Sequence, residues 1–289
     1  RQVQQCILQV LEPICEAKFH DRSNGFRPNR STEHAIAQSM KMVNIQHLYF
    51  VVDVDIKGFF DNVNHVKLMR QMWMLGIQDK KLLCIIREML KAPVILPNGD
   101  KIYPDKGTPQ GGVLSPLLSN IVLNELDWWV SSQWEDIPTH TVIKEGTAKN
   151  GTPNRSNKCR TLRRSNLKEM YIVRYADDFR IFCRKRSDAV KTYHAVKQWL
   201  KERLKLQISE EKSKVVNLKK NYSEFLGFKL KAVSCGGKYI VHSHMCDKAI
   251  QNTTKRLKAQ IDYIQHPVNR KEEYKAILLY NSMVIGIHQ

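Results

Sequence analysis

Two adjacent carboxylates, Asp177 and Asp178, interrupt a largely apolar run from Met170 to Cys183, and that placement restricts the chain more than any other feature. Strand-forming residues lie on both sides, so the run predicts two strands, Met170 to Arg174 and Phe179 to Cys183, flanking a tight turn that carries both acids. The arrangement has a cost. Two carboxylates about 4 Å apart repel by roughly 4 kcal/mol at an effective dielectric near 20, so without a cation the pair strains the fold or raises a pKa. A divalent ion removes that penalty. Upstream, Leu48 to Val54 is short, β-branched and aromatic, the pattern of a strand buried on both faces, and it ends at Asp55. Asp55 completes an oxygen-ligand set of the kind Mg²⁺ accepts, with room for water and phosphates. Taken alone, Asp-Asp also reads as an ordinary polar turn, because acids are common in turns.

Around these segments the periodicities alternate. Val3, Ile7, Val10, Leu11 and Ile14 recur at helical spacing, with Pro13 expected to kink or end the helix. A loop from Asp21 to Arg30 precedes a second helix capped by Ser31 or Thr32, and a third spans His65 to Leu75 and closes at Gly76. Asp79 caps a helix with a Leu82, Leu83, Ile86, Leu90 stripe that Pro93 stops. Val94 to Leu96 then faces Ile102 and Tyr103 across an Asn98-Gly99 turn. After the loop Gly107 to Gly112, Ser115-Pro116 reads as cap and first turn of a helix through Leu126. From Ile137 to Lys168 the pattern is lost in a polar, basic stretch that reads as a surface insertion. Ser187 caps another helix, a hairpin near Phe225 to Val241 turns at Gly236-Gly237, and the tail from Asp247 is helical and basic.

At 289 residues with 42% hydrophobic side chains, the chain can bury an ample core in two or more subdomains. Its 47 Lys and Arg against 28 Asp and Glu give a formal charge of +19, which makes a polyanion, above all nucleic acid, the leading partner. No apolar run reaches membrane-spanning length, and no membrane partner is expected. The seven cysteines lack the paired spacing of a zinc site and suit reduced thiols in a cytosolic setting. The sequence opens at Arg1 inside a helical pattern, which suggests an excised piece of something longer.

Three ordered motifs then carry a resemblance. Tyr175-Ala-Asp-Asp178 resembles the YxDD box of reverse transcriptases, and Val52 to Asp61 (VDVDIKGFFD) resembles their first acidic motif. Between them, Gly107 to Asn120 (GTPQGGVLSPLLSN) looks like the motif of retroelement polymerases related to bacterial intron-encoded proteins. Further segments match the same family: Gly25 to Ser31 looks like its second block, Ile208 to Lys214 like its sixth, and Phe225-Leu-Gly-Phe228 like its seventh. Group II intron maturases fit best. Arg1 to Gln5 resembles only the tail of the first block.

The resemblance implies a right-hand polymerase of the α+β class, with an antiparallel palm sheet backed by helices. It divides the chain into fingers at 1–48, palm at 49–62, fingers at 63–112, palm at 113–240 with a basic insertion at about 137–168, and the start of a thumb at 241–289. It implies RNA-directed DNA synthesis in which Asp55, Asp177 and Asp178 fix two Mg²⁺ ions, with Mn²⁺ as the substitute ion and the Ile56 carbonyl as an added ligand. Asp55 is chosen over Asp53 and Asp61 because the family's metal ligand precedes its bulky gate residue by five positions, which pairs Asp55 with Phe60. Asp53 shares that strand face and reads as a supporting group; Asp61 reads as the cap of the following helix. Phe60 is then a steric gate against ribonucleotides, with core packing the ordinary alternative, and Gln110 lines the template and nucleotide pocket or is simply an exposed loop residue.

By the same resemblance Lys212 lies near the leaving pyrophosphate, and Phe225, Leu226 and Gly227 support the primer end. Arg27 and Arg30 suit template phosphates, although a solvated basic face explains them as well, and Tyr175 is counted among the nucleic-acid-binding residues. Arg155, Lys158, Arg160, Arg163 and Arg164 in the insertion are expected to bind structured RNA through backbone charge. The implied partners are a template and structured intron RNA, a DNA primer and deoxynucleotides, in a bacterial cytoplasmic ribonucleoprotein, with homo-oligomerisation left open. Two rivals stand beside this reading: an RNA-binding splicing cofactor without polymerisation, and a diversity-generating or CRISPR-associated reverse transcriptase. The chain by itself is expected to synthesise weakly or not at all.

Overall fold

The computed structural model describes residues 1–95, 98–109, 111–137, 146–147, 151 and 153–288. In chain order the elements are α1 (Gln2–Glu16), α2 (Thr32–Asn44), β1 (Phe50–Val54), α3 (Phe59–Asn62), α4 (His65–Met74), α5 (Lys80–Leu90), β2 (Val94–Ile95), β3 (Lys101–Ile102) and α6 (Ser115–Ser132). They continue with β4 (Gly146–Thr147), β5 (Pro153–Asn154), α7 (Ser156–Leu162), β6 (Met170–Tyr175), β7 (Asp178–Cys183), α8 (Arg186–Trp199, prolonged by a π-turn to Leu204) and β8 (Lys214–Asn217). Last come β9 (Ser223–Phe225), β10 (Phe228–Cys235), β11 (Lys238–Met245), α9 (Asp247–Gln265) and α10 (Arg270–His288).

The central sheet has the order β6-β7-β1-β8 with every neighbouring pair antiparallel, which is the sheet backed by helices that the sequence implies. β1 is an inner strand paired on both edges, and its Val51, Val52 and Val54 are all buried, as is Asp53, the one charge that interrupts them. Helix α8 packs across β1, β7 and β8, while α6 lies on β6 and α2 touches both β6 and β11. Helix α6 is buried nearly all round, so the polar residues it carries, Asn120, Asn124 and Asp127, must find partners inside. They do. Asp127 forms a bidentate pair with Arg174 of β6, both side chains wholly buried, and Asn120 accepts from the same guanidinium at 3.0 Å.

A second sheet, β11-β10-β9, follows the first. Its hairpin turns at Gly236-Gly237 as the sequence predicts, and an additional tight turn at Leu226-Gly227 joins β9 to β10. Both turn residues have positive φ, 52° and 83°, the conformation that the hand of a two-residue hairpin requires.

Several local expectations are corrected. Helix α1 does not end at Pro13 but runs on to Glu16. The N-cap of α6 is Leu114; the Ser115 hydroxyl instead donates to the Pro109 carbonyl at 2.6 Å and ties the preceding loop to the helix. Lys185, not Ser187, occupies the cap position of α8. Asn64, not Asp61, caps α4, its side chain accepting from the Lys67 amide, and Asp61 lies within α3. The stretch read as a plain surface insertion contains α7, anchored by the buried Leu162.

Candidate active site and nucleic-acid interface

The three acids come from two neighbouring strands. Asp55 directly follows β1, Asp177 sits in the β6–β7 turn, and Asp178 opens β7. Because the β1–β7 ladder pairs Val54 with Phe179, one further step along the register sets Asp55 opposite Asp178. Burial is the main cause that pushes the Asp177 and Asp178 carboxyls above the usual carboxylate range, and the charge of Asp55 pushes both in the same direction. Asp177 adds to Asp178, while Arg180 opposes the rise at Asp178. The three groups therefore share one electrostatic neighbourhood.

They do not form a finished cage: among the described residues, no three His, Cys, Asp or Glu side chains are gathered as a metal site. Asp178 is turned onto Arg180, which donates to it at 2.6 Å, and Asp55 faces the Lys212 ammonium at 3.8 Å. The chemistry of the donor set nonetheless fits a divalent ion, since hard carboxylate oxygens are what such ions select.

The surrounding motifs hold these acids in place. The Asp55 carbonyl accepts from the Ser209 amide at 2.8 Å, its amide donates to the Ser213 hydroxyl at 3.1 Å, and Ile56 bridges to Ile208. The segment resembling the sixth block thus wraps the end of β1 and delivers Lys212 to Asp55. On the other side, Asn24 donates to the Arg174 carbonyl at 2.8 Å and Asn120 donates to the Gly25 carbonyl at 2.8 Å. Gly25 lies so close to the acidic turn that an added Cβ meets the Ala176 nitrogen at 2.1 Å. Gly25→Ala is accordingly expected to lose about 3 kcal/mol in denaturant unfolding, the upper range for overpacking against backbone, and to displace the turn bearing Asp177.

Phe60 is half-buried, packed edge-on against the buried Phe59 with ring centroids 5.3 Å apart. Its carbonyl accepts from the Thr108 amide at 2.7 Å, and the Gly107 amide donates to the Val63 carbonyl at 2.7 Å, so the glycine-rich loop is stitched to α3. A φ of +91° and a would-be Cβ only 3.0 Å from the Asp61 carbonyl explain glycine at 107. Gln110 lies outside the described residues. Gln4, which the sequence reading passed over, accepts from the Val113 amide at 3.0 Å and so braces the same loop from α1.

The expected template contact at Arg27 is corrected. Its guanidinium is buried and fully engaged, by the Glu16 carboxylate and by the carbonyls of His20 and Ser23, so it pins the loop after α1. Among the described residues, the Arg30 guanidinium reaches the Asp21 carbonyl and carboxylate, and it stays partly exposed. Tyr175 is half-buried, its ring 6.4 Å from that of Phe26. The Phe225 ring is buried, with the Arg180 guanidinium 5.1 Å from its centroid, which leaves the Leu226-Gly227 turn as the reachable part of that motif.

The basic residues of the insertion divide into two groups. Arg155 pairs with Glu135 and Asp136, and Arg163 with the buried Glu169. Lys158, Arg160 and Arg164, with Lys41 of α2, form no ion pair among the described residues. All six line one cavity of about 610 Å³ together with Arg22 and Tyr171. Arg174 and Arg180 were also missed at the sequence level, although an arginine inside an apolar strand is a signal that a buried acid awaits it.

Comparison with known proteins gives the family. The family model described as reverse transcriptase (RNA-dependent DNA polymerase) matches residues 1–230. The group II intron-encoded protein LtrA of Lactococcus lactis subsp. cremoris is 33% identical over 272 residues, covering 81% of this chain and 43% of that protein. Protein YkfC of Escherichia coli (strain K12) is 31% identical over 241 residues, covering 80% of this chain and 60% of its own length. The chain thus spans about half the length of these relatives. A solved structure of telomerase from Candida tropicalis with a fragment of telomeric RNA superposes with a TM-score of 0.52 at 12% identity, over 99% of this chain and 46% of that one, which speaks for the fold alone.

Proposed function

We propose, for a chain that belongs to the reverse transcriptase (RNA-dependent DNA polymerase) family, that Asp55, Asp177 and Asp178 are the metal-binding carboxylates of a polymerase that copies RNA into DNA. The observation that carries the proposal is the shared electrostatic neighbourhood of three acids from separate motifs, two of them held above their ordinary pKa by burial and by Asp55. Members of this family use divalent metal ions; here the proposed ions are two Mg²⁺, with Mn²⁺ able to replace them and the Ile56 carbonyl as a further ligand. When bound, they supply charge neutralisation for the attacking primer hydroxyl and the departing pyrophosphate.

The chain's own residues supply the rest of the reading. Lys212, exposed beside Asp55, offers a cation to the triphosphate, and the Leu226-Gly227 turn supports the primer terminus. Arg30 and Tyr175 meet the template, and Gln110 serves the nucleotide pocket. In this division residues 49–62 and 113–240 form the palm, 1–48 and 63–112 the fingers, and 241–289 the start of a thumb. The half-buried Phe60 ring acts as the sugar gate, so Phe60→Ala is expected to raise ribonucleotide incorporation by at least about tenfold, the discrimination that filling or emptying a pocket by a side chain commonly yields. Unchanged sugar selectivity in single-nucleotide extension assays refutes that role.

The four cations around the 610 Å³ cavity that form no ion pair among the described residues are proposed to hold phosphates of folded RNA, intron RNA in particular. No helix of the described residues is long and apolar enough to cross a membrane. The test is extension of a DNA primer on an RNA template by the protein in its natural full-length context, with divalent cation present and then chelated. Cation-dependent extension supports the polymerase; tight RNA binding with no extension under any cation favours a splicing cofactor instead.

A further inference from the structure

Resting on the reading of Asp178 as a metal ligand, we propose that Asp53 and Arg180 form a charge balance that sets how available Asp178 is to a divalent cation. The sequence of β1 and β7 creates the contact, since the register pairs Asp53 with Arg180 directly. One guanidinium then serves two carboxylates. Arg180 Nε lies 2.9 Å from Asp53 Oδ1, and another of its nitrogens donates to Asp178 Oδ1 at 2.6 Å. Its third nitrogen donates to the Glu224 carbonyl of β9, and its plane lies against the Phe225 ring. On its other sides Asp53 accepts from the Ser223 hydroxyl, 2.9 and 3.0 Å from its two oxygens, and feels the charge of Lys214, its register partner on β8. Asp53, Arg180 and Ser223 are all buried, whereas the Asp178 side chain is 39% exposed.

These positions impose a competition. An Asp178 oxygen engaged by Arg180 is not free to ligate a cation, and a guanidinium beside the site repels one. Asp53 draws on the same positive charge from the buried side, where screening by water is weakest. The Asp53 carboxylate takes part of the guanidinium's charge; with that carboxylate replaced by a neutral amide, the full charge falls to Asp178. Ser223 tunes the balance from β9, because its hydroxyl satisfies part of the demand that Asp53 otherwise places on Arg180. Through the Glu224 carbonyl the same guanidinium ties Asp178 to the strand that leads into the Leu226-Gly227 turn.

The experiment measures Mn²⁺ binding to the folded 289-residue chain from the electron paramagnetic resonance signal of the free ion. Asp53→Asn is expected to raise the Mn²⁺ concentration for half-occupancy about tenfold or more, the scale of one close charge interaction. Adding Arg180→Gln to it should bring that value back to within about threefold of the parent, because both competing charges are then gone. Ser223→Ala should move it the other way, lower by about threefold, the worth of one hydrogen bond. A residue that merely supports the fold gives a different pattern: the double variant binds worse than the single, and Ser223→Ala weakens binding. That pattern overturns the proposal, as does Asp53→Asn binding Mn²⁺ like the parent. If Asp53→Asn fails to fold, the sign of the Ser223→Ala shift decides alone. A parent chain with no Mn²⁺ site sensitive to Asp177→Ala removes the metal reading itself, and this inference with it.

Discussion

Asp177→Ala is expected to lower primer extension at least about a thousandfold, a loss of roughly 4 kcal/mol of transition-state stabilisation, while RNA affinity and the melting temperature stay near those of the parent. The asymmetry follows from the sign of the pKa shift. Burial first, and then Asp55, raise the folded-state pKa of Asp177, so the fold favours its protonated form. That contribution to stability is fully present below the ordinary carboxylate range and is lost as pH rises through the raised value. At neutral pH the ionised side chain is therefore a burden on the cation-free fold, and its removal leaves stability unchanged or slightly higher. For the same reason divalent cation should raise the melting temperature of the parent and not that of the variant. Extension that survives the substitution excludes a catalytic Asp177; extension lost together with a collapsed melting temperature points to unfolding.

The largest effect on stability is expected at Arg174. Arg174→Ala leaves Asp127 charged and unpaired in a place with no solvent access, and strips Asn120 and the Ala176 carbonyl of their donor. Breaking a buried pair by removing one partner costs about 3–5 kcal/mol, against a total stability of about 5–15 kcal/mol for a folded domain. The variant should show a much lower denaturation midpoint. Arg174→Met combined with Asp127→Leu should recover much of the loss, since two apolar side chains then replace two buried charges. Equal destabilisation by the single and double replacements would mean that the hydrogen bonds to Asn120 and Ala176, rather than the ion pair, carry the effect.

What could be read from the sequence was what local chemistry encodes. The apolar run ending at Asp55, the acidic turn and the Asp79 cap each carry their signal within a few residues, and each forms in the structure. Arg27 was misplaced for the opposite reason. Its partner Glu16 belongs to the preceding helix, and a basic residue in a motif looks solvent-facing until that helix is packed against it. The insertion misled in the same way, because Glu135 and Glu169, which neutralise Arg155 and Arg163, flank the segment and lie outside its own composition. Asp61 and Asn64 illustrate a finer limit: both are good capping residues, and only the backbone path through α3 decides that Asn64 stands at the start of α4. The Asp53–Arg180–Asp178 network could have been suspected, because two charges in apolar strands beside the acidic turn require an account of what neutralises them.

The most direct measurement is a crystal of the chain soaked in Mn²⁺, with anomalous scattering used to locate the ion. The account predicts manganese density bounded by carboxylate oxygens of Asp55, Asp177 and Asp178, with Asp178 moved off Arg180. Manganese absent from that position, or held there by Asp55 alone while Asp177 and Asp178 keep their present contacts, would contradict it.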